Sequence, residues 1–308
     1  MAVLATNGRN NLWFGTLDKA EWLPTPNRGA DVSAVGWNDG GSTLNGGGYQ
    51  LNSFGSAKNY IFEWPTSSSL FVAARLQAYK DGTYGRGLIY FQDPLTYHLN
   101  VFPSAWADPS KTIGQEGASL VPGVDAKSLP TSNPDTFNHP VRTAFYDLGR
   151  IGIIAPEYLD ESNSVFIPIP DGFELHIGAT YAYTGSAGVF YSSVSRGGAS
   201  SSTYERVEPL SGGDLFNTVV TKQPGSMGIR VWLGKTASGV ATLTLTAMMA
   251  RLVEIGSDIR GPESWVQGQG HSGVRFIGNP TLSNQTGTDG GQVSFAASFR
   301  EVGSWLRG

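Results

Sequence analysis

Apolar and polar positions alternate most regularly between Ile229 and Glu254. Two runs, 229–233 and 242–247, place apolar side chains at every second position, which is typical of strands with one buried face. The apolar positions are Ile229, Val231, Leu233, Leu243, Leu245 and Ala247. A polar loop over 234–239, with a glycine at each end that can adopt positive φ, separates the runs. The pattern predicts a hairpin, and other strands must cover it because a lone hairpin is not stable in water.

The opposite face of these strands carries Trp232 among threonines. Three environments fit an aromatic side chain at this position: an exposed platform that stacks on a sugar ring, a contact with another subunit, or a sandwich face that is solvated or covered by a loop. The sequence leaves all three open. Trp232 is therefore the candidate glycan contact.

Short strand-like runs bounded by turn residues recur through the second half of the chain. They lie at 165–169, 174–177, 180–183 and 189–191. With the two runs described above they make about seven short strands, which predicts a β-sandwich or jelly roll over residues 141–256. The 41 glycines and 17 prolines are scattered, as expected for many strands joined by turns.

The N-terminal part, residues 1–110, is predicted to be a mixed β domain with one α-helix over 69–80. Serines at 67–69 offer an N-cap, the interior contains good helix formers, and Asp81-Gly82 supplies a stop. The face expected to pack on a sheet, from its spacing of three and four, consists of Phe71, Ala74 and Ala78.

Residues 92–109 are rich in aromatic and aliphatic side chains but are interrupted by prolines at 94, 103 and 109. Such a segment would expose a large apolar patch if it were free, so it must pack on its own domain or on a neighbouring chain. Residues 111–140 are rich in Ser, Thr, Pro, Gly and Asn and are predicted to be a linker or arm. Residues 257–308 end in an alternating run, which predicts a docked terminal strand.

Composition narrows the functional classes. The chain has 308 residues, 40% hydrophobic and 15% charged, and no cysteine, which excludes disulfides and thiolate zinc sites. A net charge of −4 and a pI near 5.6 give no basic footprint for nucleic acid or an anionic membrane. No signal peptide and no apolar run long enough to span a membrane is evident, so a chain made in a cytosol is expected.

Catalytic patterns are weak. The four histidines show no metal-binding spacing. His271 is next to Ser272, but adjacency is not a triad, and a loop histidine bonded to backbone is the other interpretation. The acidic cluster of Glu157, Asp160 and Glu161 fits a solvated loop better than a glycosidase pair or a calcium site. We therefore expect no catalytic, cofactor or metal site, and a building block rather than an enzyme.

Two stretches resemble minor tail proteins of long-tailed phages of actinobacteria. They are Gly87-Leu-Ile-Tyr-Phe-Gln-Asp-Pro-Leu with Asn100-Val-Phe-Pro-Ser-Ala-Trp106, and Gly268-Gln-Gly-His-Ser-Gly-Val-Arg-Phe-Ile-Gly-Asn-Pro280 with Glu301-Val-Gly-Ser-Trp305. The spans that contain them, 87–106 and 268–305, cover about a fifth of the chain. Within that family, a protein of this size is similar to the distal tail protein, the hub between the tail tube and the tip.

The resemblance implies a virion protein of the tail tip that forms a ring, often a hexamer, from an N-terminal domain with a helix. A galectin-like β-sandwich would project outward from that domain. The usual plan of the family ends with this outer domain, whereas this chain continues over residues 257–308. We therefore expect the tail to return to the ring domain and the sandwich to be an insertion. Its partners would be further copies, the tail tube protein, the tape measure protein and other tip proteins. The subunit interface would then consist of Tyr90, Phe91, Pro94, Tyr97, Val101, Phe102 and Trp106.

Two other functions stay open. One is a carbohydrate-binding or receptor-binding protein that adsorbs to host cell-wall glycan through Trp232 or loop tyrosines. It is compatible with a ring, because several weak sites on one assembly gain affinity together. The other is a cell-wall hydrolase, which requires turnover of cell-wall polymers.

Overall fold

The computed structural model describes residues 11–27, 30–35, 38–42, 48–52, 57–102, 126–129, 143–147, 164–211, 215–257, 270–271, 273–285 and 292–302. Trp106 and the acidic cluster at 157–161 lie outside these residues. The described chain is mainly β with antiparallel sheets and one helix, which confirms the predicted fold class.

The elements in chain order are β1 Leu12–Gly15, β2 Ala20–Leu23, β3 Asp31–Val35, β4 Asn38–Ser42, β5 Gly48–Asn52, β6 Ala57–Trp64, α1 Thr66–Lys80, β7 Tyr90–Gln92, β8 Ala126–Leu129, β9 Thr143–Asp147, β10 Val165–Pro168, β11 Phe173–Thr184, β12 Ala187–Ser195, β13 Glu205–Val207, β14 Thr218–Thr221, β15 Ser226–Lys235, β16 Thr242–Glu254, β17 Val274–Phe276, β18 Thr281–Gln285 and β19 Gln292–Glu301. The strands β4 and β5 form a separate two-stranded sheet.

The N-terminal unit contains two larger sheets. Sheet I has the order β2-β1-β7, and sheet II has the order β17-β19-β6-β3 with β18 also paired to β19. Large side chains on one face of β6 and β19 are buried, among them Phe62, Trp64 and Phe299. They pack with Phe14 of β1 and Phe91 of β7 in a single aromatic core. The last described strand of the chain therefore lies inside the N-terminal unit, paired with β6.

Helix α1 covers the same face of sheet II, but through other residues than the pattern predicted. Its buried side chains are Val72, Leu76 and Tyr79. The predicted face of Phe71, Ala74 and Ala78 is wrong: Phe71 is 42% exposed. Both sets share the spacing of a helix face, but the observed one buries more apolar surface, because it replaces two alanines with a leucine and a tyrosine. The helix also begins after Pro65, three residues earlier than predicted.

The sandwich consists of two sheets that enclose one apolar core. Sheet III has the order β14-β11-β16-β9-β8, and sheet IV has the order β10-β15-β12-β13. The pairing is nested along the chain: β9 pairs with β16, β10 with β15, β11 with β14 and β12 with β13. The chain therefore crosses repeatedly from one sheet to the other.

The predicted hairpin over 229–254 is wrong, because β15 lies in sheet IV and β16 lies in sheet III. Both strands exist, and their apolar faces meet the same core from opposite sides. Alternation reports that one face of a strand is buried, but it does not report which strand is the neighbour.

A β-bulge also shifts the phase of β16. Thr180 pairs with Ala247 and Tyr181 pairs with Leu245, so Thr246 is the extra residue. After Leu245 the buried core positions are Met248, Ala250 and Leu252. The buried core positions after the bulge are therefore one residue out of phase with those before it. The side chain of Ala247, an expected core position, lies outside the described ones.

The proline-interrupted segment packs within its own chain. Tyr90, Phe91, Val101 and Phe102 are between 0% and 6% exposed in a single molecule, so the prediction that they form a subunit interface is wrong. Tyr97 packs half-buried against the sandwich core, and Pro94 is half-buried.

The segment packs within its own chain because it pairs with an edge of β16 that β9 leaves open. Strand β9 pairs only with Thr242–Leu245. Farther along, Tyr97 O accepts a hydrogen bond from Leu252 N at 3.0 Å, and Val101 N donates to Ala250 O at 2.8 Å. The Asn100 side chain donates to Met248 O and accepts from Ala250 N, both at 3.1 Å. The segment therefore closes a sheet edge whose backbone would otherwise lack partners.

The predicted linker at 111–140 also needs a correction. Within it, β8 pairs with β9 and is the last strand of sheet III, so residues 126–129 belong to the sandwich. The rest of 111–140 lies outside the described residues.

Replacing Asn100 with Ala is expected to lower the free energy of unfolding by about 2–4 kcal/mol, because three buried backbone groups, Met248 O, Ala250 N and Phe102 N, lose this side chain as a partner. Urea unfolding measures this loss. The matched control is Asn217→Ala, whose side chain bonds the exposed Glu208 O at 3.0 Å and whose removal is expected to cost below about 1 kcal/mol. Equal losses in the two variants would contradict the edge-closing role of Asn100.

Candidate functional sites

Trp232 lies on the outer face of sheet IV and is 1% exposed. Its ring is 6.0 Å from the Phe190 ring and 6.0 Å from the Tyr204 ring, centroid to centroid. The loop after β12 brings Tyr204 over this pair. Trp232 therefore cannot stack on a sugar in this conformation, and the glycan contact assigned to it is wrong. Of the three environments that fit the sequence, the loop-covered sandwich face is the one observed.

Two tyrosines nearby are exposed instead. Tyr204 is 38% exposed and Tyr183 is 41% exposed. The guanidinium carbon of Arg206 lies 3.7 Å from the centre of the Tyr183 ring. The backbone of Arg206 pairs with that of Phe190, whose ring contacts Tyr204. We call Tyr183, Tyr204 and Arg206 the tyrosine rim.

The tyrosine rim is held in place by buried groups. Arg206 Nη2 donates to Ala187 O at 2.8 Å, and its Nε donates to Tyr181 Oη at 3.2 Å. Tyr181 in turn donates to Val207 O at 2.5 Å, and burial raises the pKa of its phenol. A fixed guanidinium over the partly exposed Tyr183 ring offers both stacking surface and hydrogen-bond donors. The sequence predicts the strand position of Tyr183, but it does not predict the proximity of these residues.

His271 is buried in the N-terminal core between the rings of Phe91 and Tyr60, at centroid distances of 4.0 Å and 5.7 Å. Its Nδ1 accepts a hydrogen bond from Gly273 N at 3.1 Å, so the neutral ring carries its proton on Nε2, 3.2 Å from Phe91 O. Desolvation lowers the pKa of His271 to about 3. The histidine is thus bonded to backbone, as one of the two interpretations of the sequence proposed.

No group of three or more His, Cys, Asp or Glu side chains is placed to hold a metal ion within the described ranges. In the same part of the chain, α1 is too short to reach across a membrane. Comparison of the chain with protein-family models, with curated proteins and with solved structures found no match.

The depressed pKa of His271 predicts acid sensitivity. Between about pH 6.5, the ordinary pKa of histidine, and pH 3, the unfolded chain binds a proton that the folded chain excludes. The contribution of His271 to stability is therefore fully present above this window and is lost as pH drops through it, by about 1.4 kcal/mol per pH unit. Urea unfolding at several pH values measures the slope.

The variant His271→Asn keeps an acceptor for Gly273 but removes the titrating ring, so its slope between pH 6.5 and 5 is expected to be shallower than that of the native chain. His98→Asn, at an exposed position, is the control and should leave the slope unchanged. A native slope in His271→Asn would show that this ring is not the acid-sensitive group.

Proposed function

We propose that this chain is a structural protein of a phage tail tip, in which several copies close into a ring and each copy carries an outward sandwich. The resemblance of the segments at 87–106 and 268–305 to minor tail proteins motivates the proposal. The observation that carries it furthest is the insertion: the sandwich strands β8 to β16 lie between β7 and β17, and β19 pairs with β6. A module inserted in this way projects from the domain whose strands come before and after it in the chain.

We further propose that the sandwich is a jelly roll. Its eight strands β9 to β16 pair first with last, second with seventh, third with sixth and fourth with fifth. This nesting is what results when a long antiparallel hairpin is rolled into two sheets. Jelly rolls occur in viral capsid proteins and in lectins, so the fold is compatible with a structural role in a virion and with glycan binding, and it selects neither.

A ring requires two different surfaces on each copy, because its contacts are heterologous. With Tyr90, Phe91, Val101 and Phe102 buried, one ring surface has to lie elsewhere. We assign it to the outer side of α1, where Leu70 is 65% exposed and Phe71 is 42% exposed. The other is the face of sheet II opposite α1, where Ile61 is 37% exposed. Ile61 alternates along β6 with side chains that face α1, so the two surfaces point in opposite directions, as ring closure requires.

The double variant Leu70→Ser/Phe71→Ser is expected to weaken self-association at least tenfold, because it removes the apolar contact of one ring surface. Sedimentation velocity over a range of micromolar concentrations measures the association. The matched control is Val219→Ser, which changes a 54% exposed valine on an edge strand of the sandwich and should leave association unchanged.

Association of the native chain that is unaffected by the double variant would contradict the helix surface. A native chain that stays monomeric in solution and also fails to assemble when mixed with tail tubes would contradict the ring.

The second candidate function, adsorption to cell-wall glycan, is supported by the tyrosine rim. Two partly exposed rings and a fixed arginine are the groups that stack on a sugar and bond its hydroxyls. We therefore move the proposed glycan contact from Trp232 to Tyr183 and Tyr204.

Tyr183→Ser is expected to weaken binding of host cell-wall glycan fragments about fivefold, from the loss of one stacking contact. A glycan array, followed by titration of any hit, measures this change. Tyr204→Ser tests the second ring, with thermal unfolding as a control because Tyr204 also covers Trp232. Leu95→Ser, at another large exposed side chain, is the matched control. Absence of glycan binding at millimolar concentration would remove this function.

A further inference from the structure

A cavity of about 370 Å³ lies beside the C-terminal end of α1, on the N-terminal unit and away from the tyrosine rim. Its walls come from the turn after the helix and from β17, two segments that are distant in sequence. The charged lining residues are Lys80, Asp81, Arg86 and Arg275, and the apolar ones include Ile89 and Phe276. Three cations and one anion thus face one cavity in a protein whose net charge is −4.

Two of the three cationic side chains at the cavity are available to bind a ligand. In the described part of the chain, neither the Arg86 guanidinium nor the Arg275 guanidinium has a hydrogen-bond or ion-pair partner, and both side chains are exposed. Lys80 is occupied: its Nζ donates to Gly278 O at 3.0 Å and to Asn279 Oδ1. This contact ties the helix end to the turn after β17 and so fixes two walls of the cavity.

Arg86 is positioned by a glycine. Gly82 has a φ of +75°, and a Cβ at that position would lie 2.9 Å from Arg86 Cγ and 3.4 Å from its Nε. The arginine stem therefore lies directly across Gly82. The C-terminal end of α1 repels an anion less than an uncapped helix end does. Asp81 N, Gly82 N and Thr83 N donate hydrogen bonds to carbonyls of the last turn, which would otherwise present their partial negative charge to the cavity.

Asp81 accepts a hydrogen bond from Gln77 Nε2 at 2.8 Å through one oxygen. Its other oxygen can accept from a ligand hydroxyl. Phe276 is half-buried and offers apolar surface in the same cavity. The lining thus combines donors that suit an oxyanion, an acceptor that suits a hydroxyl and an aromatic surface.

We propose that this cavity binds a phosphate or carboxylate group carried by a sugar, with Arg86 and Arg275 contacting the oxyanion. Arginine matches both groups because its planar fork can donate two parallel hydrogen bonds to them. The proposal does not depend on the phage function or on the sugar contact at the tyrosine rim. It assigns a separate site to the N-terminal unit.

Titration calorimetry with glucose 1-phosphate, glucuronate, inorganic phosphate and glucose tests the site on the full chain. We expect glucose 1-phosphate or glucuronate to bind, glucose to bind at least tenfold more weakly, and added salt to weaken the anions. Binding of inorganic phosphate as tight as that of both sugar anions would overturn the sugar part of the proposal. Absence of binding by all three anions at 10 mM, on the order of the weakest specific sites, would overturn the whole of it.

Arg86→Gln and Arg275→Gln are each expected to weaken anion binding about tenfold, since each removes a charge-assisted contact. Arg196→Gln, at an exposed arginine on the sandwich, is the matched control and should leave binding unchanged. Gly82→Ala should also weaken binding, through displacement of Arg86. Anion binding that survives the double variant Arg86→Gln/Arg275→Gln would place the ligand elsewhere and overturn the assignment.

Discussion

The backbone edge of β16 is the constraint on which the arrangement of this molecule depends. The strand is 13 residues long, but β9 pairs with only the first four of them. Buried amides and carbonyls without partners each cost about 1–3 kcal/mol, so the remaining edge has to be closed. The segment at 97–101 closes it, and Val101 and Phe102 enter the sandwich core at the same place. The sandwich is therefore complete only when the N-terminal unit contributes to it.

A second set of contacts, between aromatic side chains, fixes the orientation of the sandwich relative to the N-terminal unit. Tyr90 of β7 meets Phe166 of β10 edge to face with ring centroids 4.7 Å apart, and Trp22 of β2 lies 5.8 Å from Phe173 of β11. The core around Tyr90 and Phe166 also includes Met227. Because hydrogen bonds and aromatic contacts join the units at separate places, the sandwich is held in one orientation by packing and not by a tether.

Much of the local structure could be predicted from the sequence, and most of the partners could not. Alternation located β15 and β16 because burial on one side leaves a period of two, but it contains no information about the neighbouring strand, so a hairpin was predicted where two sheets face each other. The composition of 92–109 predicts that the segment packs against protein, but it does not indicate which molecule it packs on. In the described part, 92–102, that molecule is its own chain. Trp232 was placed correctly on the outer face, whereas its cover, Tyr204, comes from a loop. Arg86 and Arg275 line the same cavity only through tertiary folding, so no local pattern could have paired them.

The pairing of β19 with β6 has a consequence for synthesis on the ribosome. Strand β6 leaves the exit tunnel early, whereas the strand that completes its sheet is made only after the whole sandwich. Domains that fold as they are made generally do so from the N-terminus onward. Here the N-terminal unit is completed last. The aromatic side chains of β6 and α1 are made roughly 230 residues before the strand that completes their sheet, the interval from Trp64 to Gln292. Until β19 has been made, these aromatic side chains are a target for chaperones of the cell that makes the protein.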